Sequence, residues 1–554
     1  MNHRTRSGSP LPECITEQAG RIGADPVGRR EFLALATAFG ATAATAWGLL
    51  GLAQPALAAE TPKQGGTVRI QQQIVALKDP CTADFNAVAT FTRGWLEYLV
   101  QYNSDGTFSP ALLESWTISD DARVYTLNVR QGVTWNNGAP FSASDVAFNL
   151  ERFCDAAIEG NAMVGLMGAL HDPATGKAAA GAISVADDHT VILTLPKPDI
   201  ALIAGFSDYP AAIVHPSFSV ATILSNPIGT GPYLPQNYEV GNRAALIRNS
   251  DHSWWNAGNG AWLDRIEVID FGVEPGSFLA AASGDEIDVV FDTEGNMVAS
   301  FDALEGWVGH SVTTAATVLA RTNQVAEVNG TIPYADARVR RALALAVDNA
   351  VVLELAIDGL GDVAENHHVS PVHPEYASIP APAHDPAAAL ALLQEAGVTE
   401  FEHELISIDG GFWAATADVI AAQLRDAGIK VKRTVYPSST FWNDWAKFPF
   451  SITNWNHRPL GIQTLAIAYT SGQSWNESGF ANPDFDALVS QALGTPDPDK
   501  RREIMGKLQS IMQDEGVIIQ PYWRGLYNHT SAKLRGAEIH ISQEMRPAQM
   551  YWVD

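Results

Sequence analysis

The chain has 554 residues, of which 46% are hydrophobic and 18% charged, so it is long enough for two or three domains with a substantial core. Lysine and arginine total 35 against 62 acidic residues, a formal net charge of -27. This excess argues against nucleic acid or an anionic membrane surface as the partner, because both favour basic patches.

The N-terminus has the pattern of an export signal. Arg29-Arg30 precede the apolar stretch 32–57, and Ala56-Leu57-Ala58 offers the small residues that signal peptidase reads. The paired arginines resemble the twin-arginine type. A membrane anchor is the alternative, since 32–53 is long enough to cross ~30 Å, but its Ala, Thr and Gly content is weakly hydrophobic. We therefore expect a signal peptide over 1–58, cleaved near Ala58, and a periplasmic protein.

Beyond this segment, strands and helices are mixed along the chain. Residues 65–70 and 124–130 alternate apolar and polar side chains, which predicts strands, and Ser142 is placed to cap a helix. In the second half, one helix is predicted from Asp336 through Leu355. We also expect a helix from Asp385 to Ala396, the strand-helix-strand unit 401–408, 413–427 and 428–435, and a last helix over 499–512. This alternation predicts an α/β fold with some parallel pairing.

Several motifs carry a family resemblance. Residues 110–116, 125–135 and 141–146 (PALLESW, YTLNVRQGVTW and FSASDV) resemble the extracellular solute-binding proteins of the peptide and nickel ABC importers, family 5. Further landmarks fall in the family's order, and together the set covers nearly all of 65–523. They are 77–80, 226–233, 284–289, 336–343, 385–397 and 482–486.

The resemblance implies a two-lobed fold of the type II periplasmic binding protein kind. Lobe I would comprise 59–101, 214–315 and 524–554, with an additional domain inserted over 102–213, and lobe II would comprise 316–523. Such a protein closes its hinge around a peptide-like or anionic organic solute and delivers it to the permease and ATPase of an ABC importer. We expect a monomer with no nucleic-acid partner and no cofactor.

The solute site is expected in lobe II. In the family's dipeptide and oligopeptide binders, an Asp shortly after a Trp holds the peptide ammonium group. Here Trp455 is followed by Asn456, His457 and Arg458, which argues against a free α-amino group and favours an anionic or polar solute. Arg458 can form two parallel hydrogen bonds to a carboxylate. The alternative is an ion pair between Arg458 and a neighbouring acid such as Glu477.

Aromatic and histidine side chains are further candidates. Trp475 lies in a loop before the 482–486 landmark and is placed to cover a solute. His367 and His368 lie in a proline-rich region together with two more histidines. A structural or solvent-exposed role is the first interpretation of the pair, contact with the solute the second and metal binding the last, because no ligand spacing completes a set. We therefore expect no metal.

Two questions stay open at this level. Cys81 and Cys154 could form a disulfide or remain buried thiols.

The second question is the functional class. We expect a binding protein and not an enzyme, with a secreted hydrolase as the alternative and a binding protein that serves a receptor or chaperone as a third possibility. The Gly-x-Ser-x-Gly and His-Glu-x-x-His patterns are both absent, which removes the commonest local indications of a hydrolase.

Overall fold

The structure, a computed structural model, describes residues 4–22, 26–55, 60–83, 86–272, 274–295 and 297–554. The predicted cleavage point near Ala58 lies outside the described residues.

The helices are α1 Glu13–Ile22, α2 Pro26–Ala38, α3 Ala43–Leu49, α4 Asn86–Thr92, α5 Ala143–Phe153, α6 Met163–Leu166, α7 Leu202–Gly205, α8 Pro275–Ser283, α9 Met297–Asp302, α10 Ala337–Leu345, α11 Asn349–Ile357, α12 Pro386–Glu395, α13 Gly411–Asp426, α14 Ser438–Asp444, α15 Gly461–Ala468, α16 Pro483–Leu493 and α17 Pro498–Asp514.

The strands are β1 Thr67–Gln71, β2 Val100–Tyr102, β3 Phe108–Pro110, β4 Leu113–Ile118, β5 Val124–Val129, β6 His171–Asp172, β7 Lys177–Ala178, β8 Ile183–Asp187, β9 Thr190–Thr194, β10 Tyr233–Glu239, β11 Arg243–Arg248, β12 Arg265–Ile269, β13 Val289–Val290, β14 Trp307–Thr322, β15 Gly361–Val363, β16 His403–Ile408, β17 Val431–Tyr436, β18 Phe450–Trp455, β19 Ile518–Ser531, β20 Leu534–Arg535 and β21 Tyr551–Trp552.

One mixed sheet runs through both halves of the chain. Its strand order is β10-β11-β12-β1-β13-β19-β14-β18-β16-β17, with β15 paired to β19. β1 pairs in parallel with β12 and β13, and β16 pairs in parallel with β17 and β18. The predicted α/β class with partial parallel pairing is therefore confirmed.

Two long antiparallel strands, β14 and β19, join the halves of this sheet. The end of β14 at Trp307–Thr313 pairs with Gly525–Ser531, whereas Thr317–Arg321 pairs with Ile518–Trp523, and the register shifts between Thr313 and Thr317. Thr314 Oγ1 stabilises the irregular segment by donating to the Arg524 carbonyl at 2.8 Å. A bulge in a long ribbon bends and twists it, so this break separates two halves of the sheet. The lobe boundary predicted at 315/316 falls within it.

A separate four-stranded antiparallel sheet, β4-β5-β9-β8, lies inside the range 102–213 that was predicted as an inserted domain. Along β5 the side chains of Tyr125, Leu127 and Val129 are buried and alternate with more exposed ones, as its sequence predicted. Helix α5 packs against β8 and β9. Its N-cap Ser142 forms a capping box with Asp145, whose carboxylate accepts from the Ser142 backbone N–H at 2.8 Å.

One helix prediction is wrong in its extent. The helix expected from Asp336 through Leu355 is two helices, α10 and α11, because Asp348 accepts from the backbone N–H groups of Ala350 and Val351 and starts a second helix. The other predicted helices are confirmed: α12 starts after the cap Asp385, and α17 ends before Gly516, whose φ is +59°.

The N-terminal helices pack against the remainder of the chain. Phe32 and Leu35 are fully buried. Trp116 Nε1 donates to the Ala38 carbonyl at 2.7 Å, and the Phe108 backbone N–H donates to Thr37 Oγ1 at 2.8 Å. Among the described residues, no helix combines the length and the apolar character that crossing a membrane requires.

Candidate functional site

A small cavity lies at the carboxyl end of β18, where the chain turns toward α15. Its volume is about 40 Å³, room for about three water molecules. The walls come from β18 and the following turn, from α14 and the residue after it, from the loop before α16, and from the segment after α7. The lining residues are Tyr209, Trp442, Trp445, Asn454, Trp455, Asn456, Arg458 and Trp475.

Trp455 is held rigidly in the wall of this cavity. Its Nε1 donates to Glu477 Oε1 at 2.8 Å, and the same oxygen accepts from Thr453 Oγ1 at 2.8 Å. The other carboxylate oxygen accepts from Arg321 Nε at 2.7 Å, and both charged side chains are buried. A buried ion pair with its hydrogen bonds satisfied fixes its neighbours in one arrangement, so Glu477 orients the indole.

Arg458 forms its ion pair with an acid that lies far away in the sequence. The predicted alternative partner, Glu477, is wrong because that carboxylate is already paired with Arg321. Arg458 Nε instead donates to Asp208 Oδ2 at 2.9 Å, and Arg458 is 2% exposed. Its Nη2 is buried and has no hydrogen-bond partner in the described part of the chain. Arg458 therefore has one nitrogen paired with Asp208 and another, buried, that no hydrogen-bond acceptor in the described part of the chain satisfies.

Aromatic rings enclose the guanidinium of Arg458. Its central carbon lies 5.3 Å from the ring centroid of Trp475 and 5.8 Å from that of Trp455, within the range of cation–π attraction. Trp475 faces Tyr209 with 6.4 Å between the ring centroids and 24° between the ring planes. Trp455 meets Trp475 edge to face at 5.7 Å. Tyr209 and Trp475 thus approach the cavity from segments remote in sequence.

His457, although it lies in the same turn, does not line the cavity. Its Nδ1 accepts from the Ala315 backbone N–H at 3.1 Å, and its Nε2 lies 3.4 Å from the hydroxyl of Tyr102. Burial lowers the pKa of His457 well below its ordinary value, so the ring is neutral. The side chain connects the turn after β18 to the irregular segment of β14.

His367 and His368 lie behind the cavity wall. His368 Nδ1 is 2.6 Å from the Tyr469 hydroxyl, and its ring meets Trp455 edge to face at 5.5 Å. His367 Nε2 lies 3.1 Å from Glu365 Oε2 and 3.2 Å from Gln509 Nε2. Neither is among the lining residues. Among the described residues, no group of three or more His, Cys, Asp or Glu side chains has an arrangement that could hold a metal ion.

Two other groups bear on the questions left open. Cys81 and Cys154 are buried free thiols, so the disulfide alternative is wrong. Burial raises the pKa of each thiol to about 12.

A hydrogen-bonded set with the residue types of a hydrolase triad also exists: His529 Nδ1 lies 3.0 Å from Thr293 Oγ1, and His529 Nε2 lies 3.0 Å from Asp302 Oδ1. None of its three members lines the cavity.

The sequence pointed to only half of the residues that line the cavity. It pointed to Trp455, Asn456, Arg458 and Trp475, all of which the structure brings together. Trp442, Trp445 and Asn454 also line the cavity, and no motif in the sequence distinguishes them from other aromatic or polar residues. Asp208 and Tyr209 were missed, since no local pattern relates Ser207-Asp208-Tyr209-Pro210 to a turn 250 positions later.

Comparisons with known proteins bear on what such a site does. The profile of the bacterial extracellular solute-binding proteins, family 5 (middle region), matches residues 107–477. The chain is 24% identical over 497 residues to the dipeptide-binding protein of Escherichia coli K12, covering 79% of this chain and 84% of that one. These proteins resemble it along most of their length.

Solved structures show the same architecture. The murein tripeptide-binding protein MppA of Escherichia coli superimposes with a TM-score of 0.79 at 20% identity, covering 89% of this chain and 99% of that one. AgaA from A. tumefaciens R10, in complex with agropinic acid, gives a TM-score of 0.77 at 20% identity, covering 88% and 99%. The fold is therefore the two-lobed α/β fold of the periplasmic binding proteins, as the sequence predicted.

Proposed function

The chain belongs to the bacterial extracellular solute-binding proteins of family 5, and we propose that it captures a peptide-like or anionic organic solute between its lobes for an ABC importer. Proteins of this family bind solutes, which favours binding over the secreted hydrolase and over a receptor or chaperone role. The permease and ATPase of the importer are the proposed partners, and the protein acts as a monomer in the periplasm.

The observation that carries the proposal is the aromatic cavity, whose lining comes from two segments distant in sequence. Tyr209 and its neighbour Asp208 belong to the segment proposed as the inserted domain, whereas Arg458 and Trp475 belong to the proposed lobe II. Solute sites are concave, mostly aromatic or apolar, and contain a few polar groups that fix orientation. The walls of the cavity therefore come from the proposed inserted domain and from the proposed lobe II. The cavity closes when these two parts of the chain meet, as the capture of a solute requires.

The proposed motion is a hinge closure around the break in β14. The proposed lobes are those of the sequence analysis: 59–101, 214–315 and 524–554 for lobe I, and 316–523 for lobe II. The register shift between Thr313 and Thr317 supports a hinge at this point, since a few strand residues absorb the change in backbone angles during such a closure. A solute drives closure only by binding the closed form more tightly than the open one.

Export of the protein is also part of the proposal. The twin-arginine pattern at Arg29-Arg30, followed by cleavage near Ala58, would place the mature chain in the periplasm. No Cys stands at the end of the apolar stretch, next to the proposed cleavage point, so we propose a protein that is not attached to lipid at that site.

The test is to identify the solute that the protein carries through purification. We expect mass spectrometry of the denatured protein to release one small organic molecule. Adding that molecule back to stripped protein should raise the melting temperature without turnover and should lower the radius of gyration measured by small-angle scattering. Chemical conversion of the molecule, or a radius of gyration unchanged at calorimetric saturation, would contradict the proposed capture function.

A further inference from the structure

The side chains around the cavity supply many hydrogen-bond donors and few acceptors. The indole N–H groups of Trp442, Trp445 and Trp475 make no hydrogen bond within the described part of the chain, and an indole nitrogen can only donate. The Asn454 side-chain oxygen is already used, because it accepts from Trp413 Nε1 at 2.9 Å. None of the eight lining residues is acidic. A ligand that matches this lining presents acceptors.

The acid that contacts Arg458 has both of its carboxylate oxygens engaged. Asp208 Oδ2 accepts from Arg458 Nε, and Asp208 Oδ1 accepts from the Tyr209 backbone N–H at 2.9 Å. These contacts tie the acid to its own loop and to one nitrogen of the guanidinium. It therefore serves to orient Arg458, and both of its oxygens already accept from protein donors rather than from an ammonium group.

The unpaired nitrogen of Arg458 defines where an acceptor would sit. Nη2 is buried without a hydrogen-bond partner, and a buried donor left unpaired is unfavourable. Asn456 also lines the cavity, makes no side-chain hydrogen bond within the described residues, and has an amide group that can donate to a ligand. A carboxylate is the strongest acceptor for a guanidinium, because the hydrogen bond is assisted by both charges.

The aromatic walls limit the shape of the remaining part of the ligand. The ring centroids of Tyr209 and Trp475 are 6.4 Å apart, with planes 24° from parallel. Trp442, Trp445 and Trp455 line the same cavity. Flat aromatic faces make more contact with a planar group than with a puckered aliphatic one. The cavity of about 40 Å³ is partly open, so the planar part of a ligand can extend from it along these rings.

We propose that this site takes a small organic acid with a flat, unsaturated body. Its carboxylate lies on the Nη2 side of Arg458, and its planar part packs against the aromatic rings that line the cavity, among them Tyr209 and Trp475. This proposal rests on the solute-binding function proposed above and specifies the class of solute. It separates this chain from a receptor for peptides with a free ammonium group, which would need an unengaged acid at the cavity.

Three matched probes test the class by calorimetric titration of the full-length chain stripped of solute. Benzoate carries a carboxylate and a planar ring, cyclohexanecarboxylate has the same acid on a puckered ring, and benzylamine has the planar ring with a cation. We expect benzoate to bind at least 10-fold more tightly than cyclohexanecarboxylate and at least 100-fold more tightly than benzylamine. No binding of benzoate, or equal affinity for benzoate and either other probe, would overturn the proposal.

Variants connect the class to the named side chains. Arg458→Gln should weaken benzoate binding at least 30-fold, and Trp475→Leu at least 10-fold. Arg338→Gln, at an exposed arginine paired with Asp336, is the matched control and should bind as the wild type does. If Arg458→Gln fails to fold, Arg458→Lys keeps the charge and should still lose affinity, because an ammonium lacks the planar set of donors. Wild-type affinity in the folded variants overturns the assignment.

The outcome also distinguishes this proposal from the one on which it rests. A peptide released from the purified protein, together with compaction on adding it back, would reject the organic acid and leave the capture function intact. Failure of every probe and of the carried solute to compact the protein would reject the capture function itself.

Discussion

Arg458 and Asp208, 250 positions apart in the chain, form an ion pair with 2.9 Å between Nε and Oδ2. Both side chains are largely buried, and they join the turn after β18 to the segment after α7. Because the two charges are buried and paired, the contact favours the arrangement in which these segments meet, and removing it should weaken that arrangement.

The first prediction concerns this ion pair. Asp208→Asn keeps the shape of the side chain and removes its charge, leaving the Arg458 charge buried without a counterion. We expect the free energy of unfolding to fall by about 1–3 kcal/mol and the ligand-free protein to become more open, because opening hydrates Arg458. Denaturant unfolding and small-angle scattering measure the two effects. Asp187→Asn, at the exposed end of β8, is the control; identical behaviour of both variants would contradict a role of the pair in closure.

The second prediction concerns the buried pair behind Trp455. Glu477→Gln leaves Arg321 charged and unpaired in the core, and we expect a loss of about 3–5 kcal/mol in the free energy of unfolding. The double variant Arg321→Met with Glu477→Leu removes both charges and should recover most of that stability. It should still bind solute more weakly than wild type, since Trp455 Nε1 loses its acceptor. A double variant as unstable as the single one would contradict this account.

The third prediction is a pH dependence of stability. Asp199 is 2% exposed, and burial raises its pKa from 3.8 to about 7. The folded state therefore holds this proton more tightly than the unfolded state does. The contribution of this proton to the stability of the folded state is complete below pH 3.8. It is lost as the pH rises from 3.8 to about 7.

Asp199→Asn removes this titration while keeping the shape of the side chain. Relative to the variant, we expect the wild type to lose roughly 3–4 kcal/mol of unfolding free energy between pH 4 and pH 8. Denaturant unfolding of both proteins at four or five pH values provides the measurement. Parallel curves over the whole range would show that Asp199 titrates normally.

The fourth prediction concerns export. Arg29→Lys with Arg30→Lys should leave the precursor in the cytoplasm, because the twin-arginine pathway reads the arginine pair. Cell fractionation and the size of the product by immunoblot report the outcome. The matched control replaces the upstream Arg4 and Arg6 by lysine and should be processed normally. Normal processing of the Arg29, Arg30 variant would reject the twin-arginine route and leave ordinary secretion open.

Local patterns predicted the secondary structure well where one short segment decides it. The capping box at Ser142 and the alternation along β5 depend on residues within a few positions of one another, so both were predicted correctly. The break between α10 and α11 was missed because apolar residues continue across it. Only Asp348 indicates that a second helix starts there, because its side chain caps that helix by accepting from the backbone N–H groups of Ala350 and Val351.

By itself, the sequence determined the family, the α/β class and four residues that line the cavity, Trp455, Asn456, Arg458 and Trp475, because motif order and local spacing carry that information. The tertiary structure alone decided which acid pairs with Arg458, which side chain completes the aromatic enclosure, and that the two cysteines remain thiols. The physical reason is that ion pairs, ring contacts and burial depend on distances in space. Asp208 pairs with Arg458, and Arg321 pairs with Glu477, only once folding has brought segments that are distant in the sequence to one edge of the sheet.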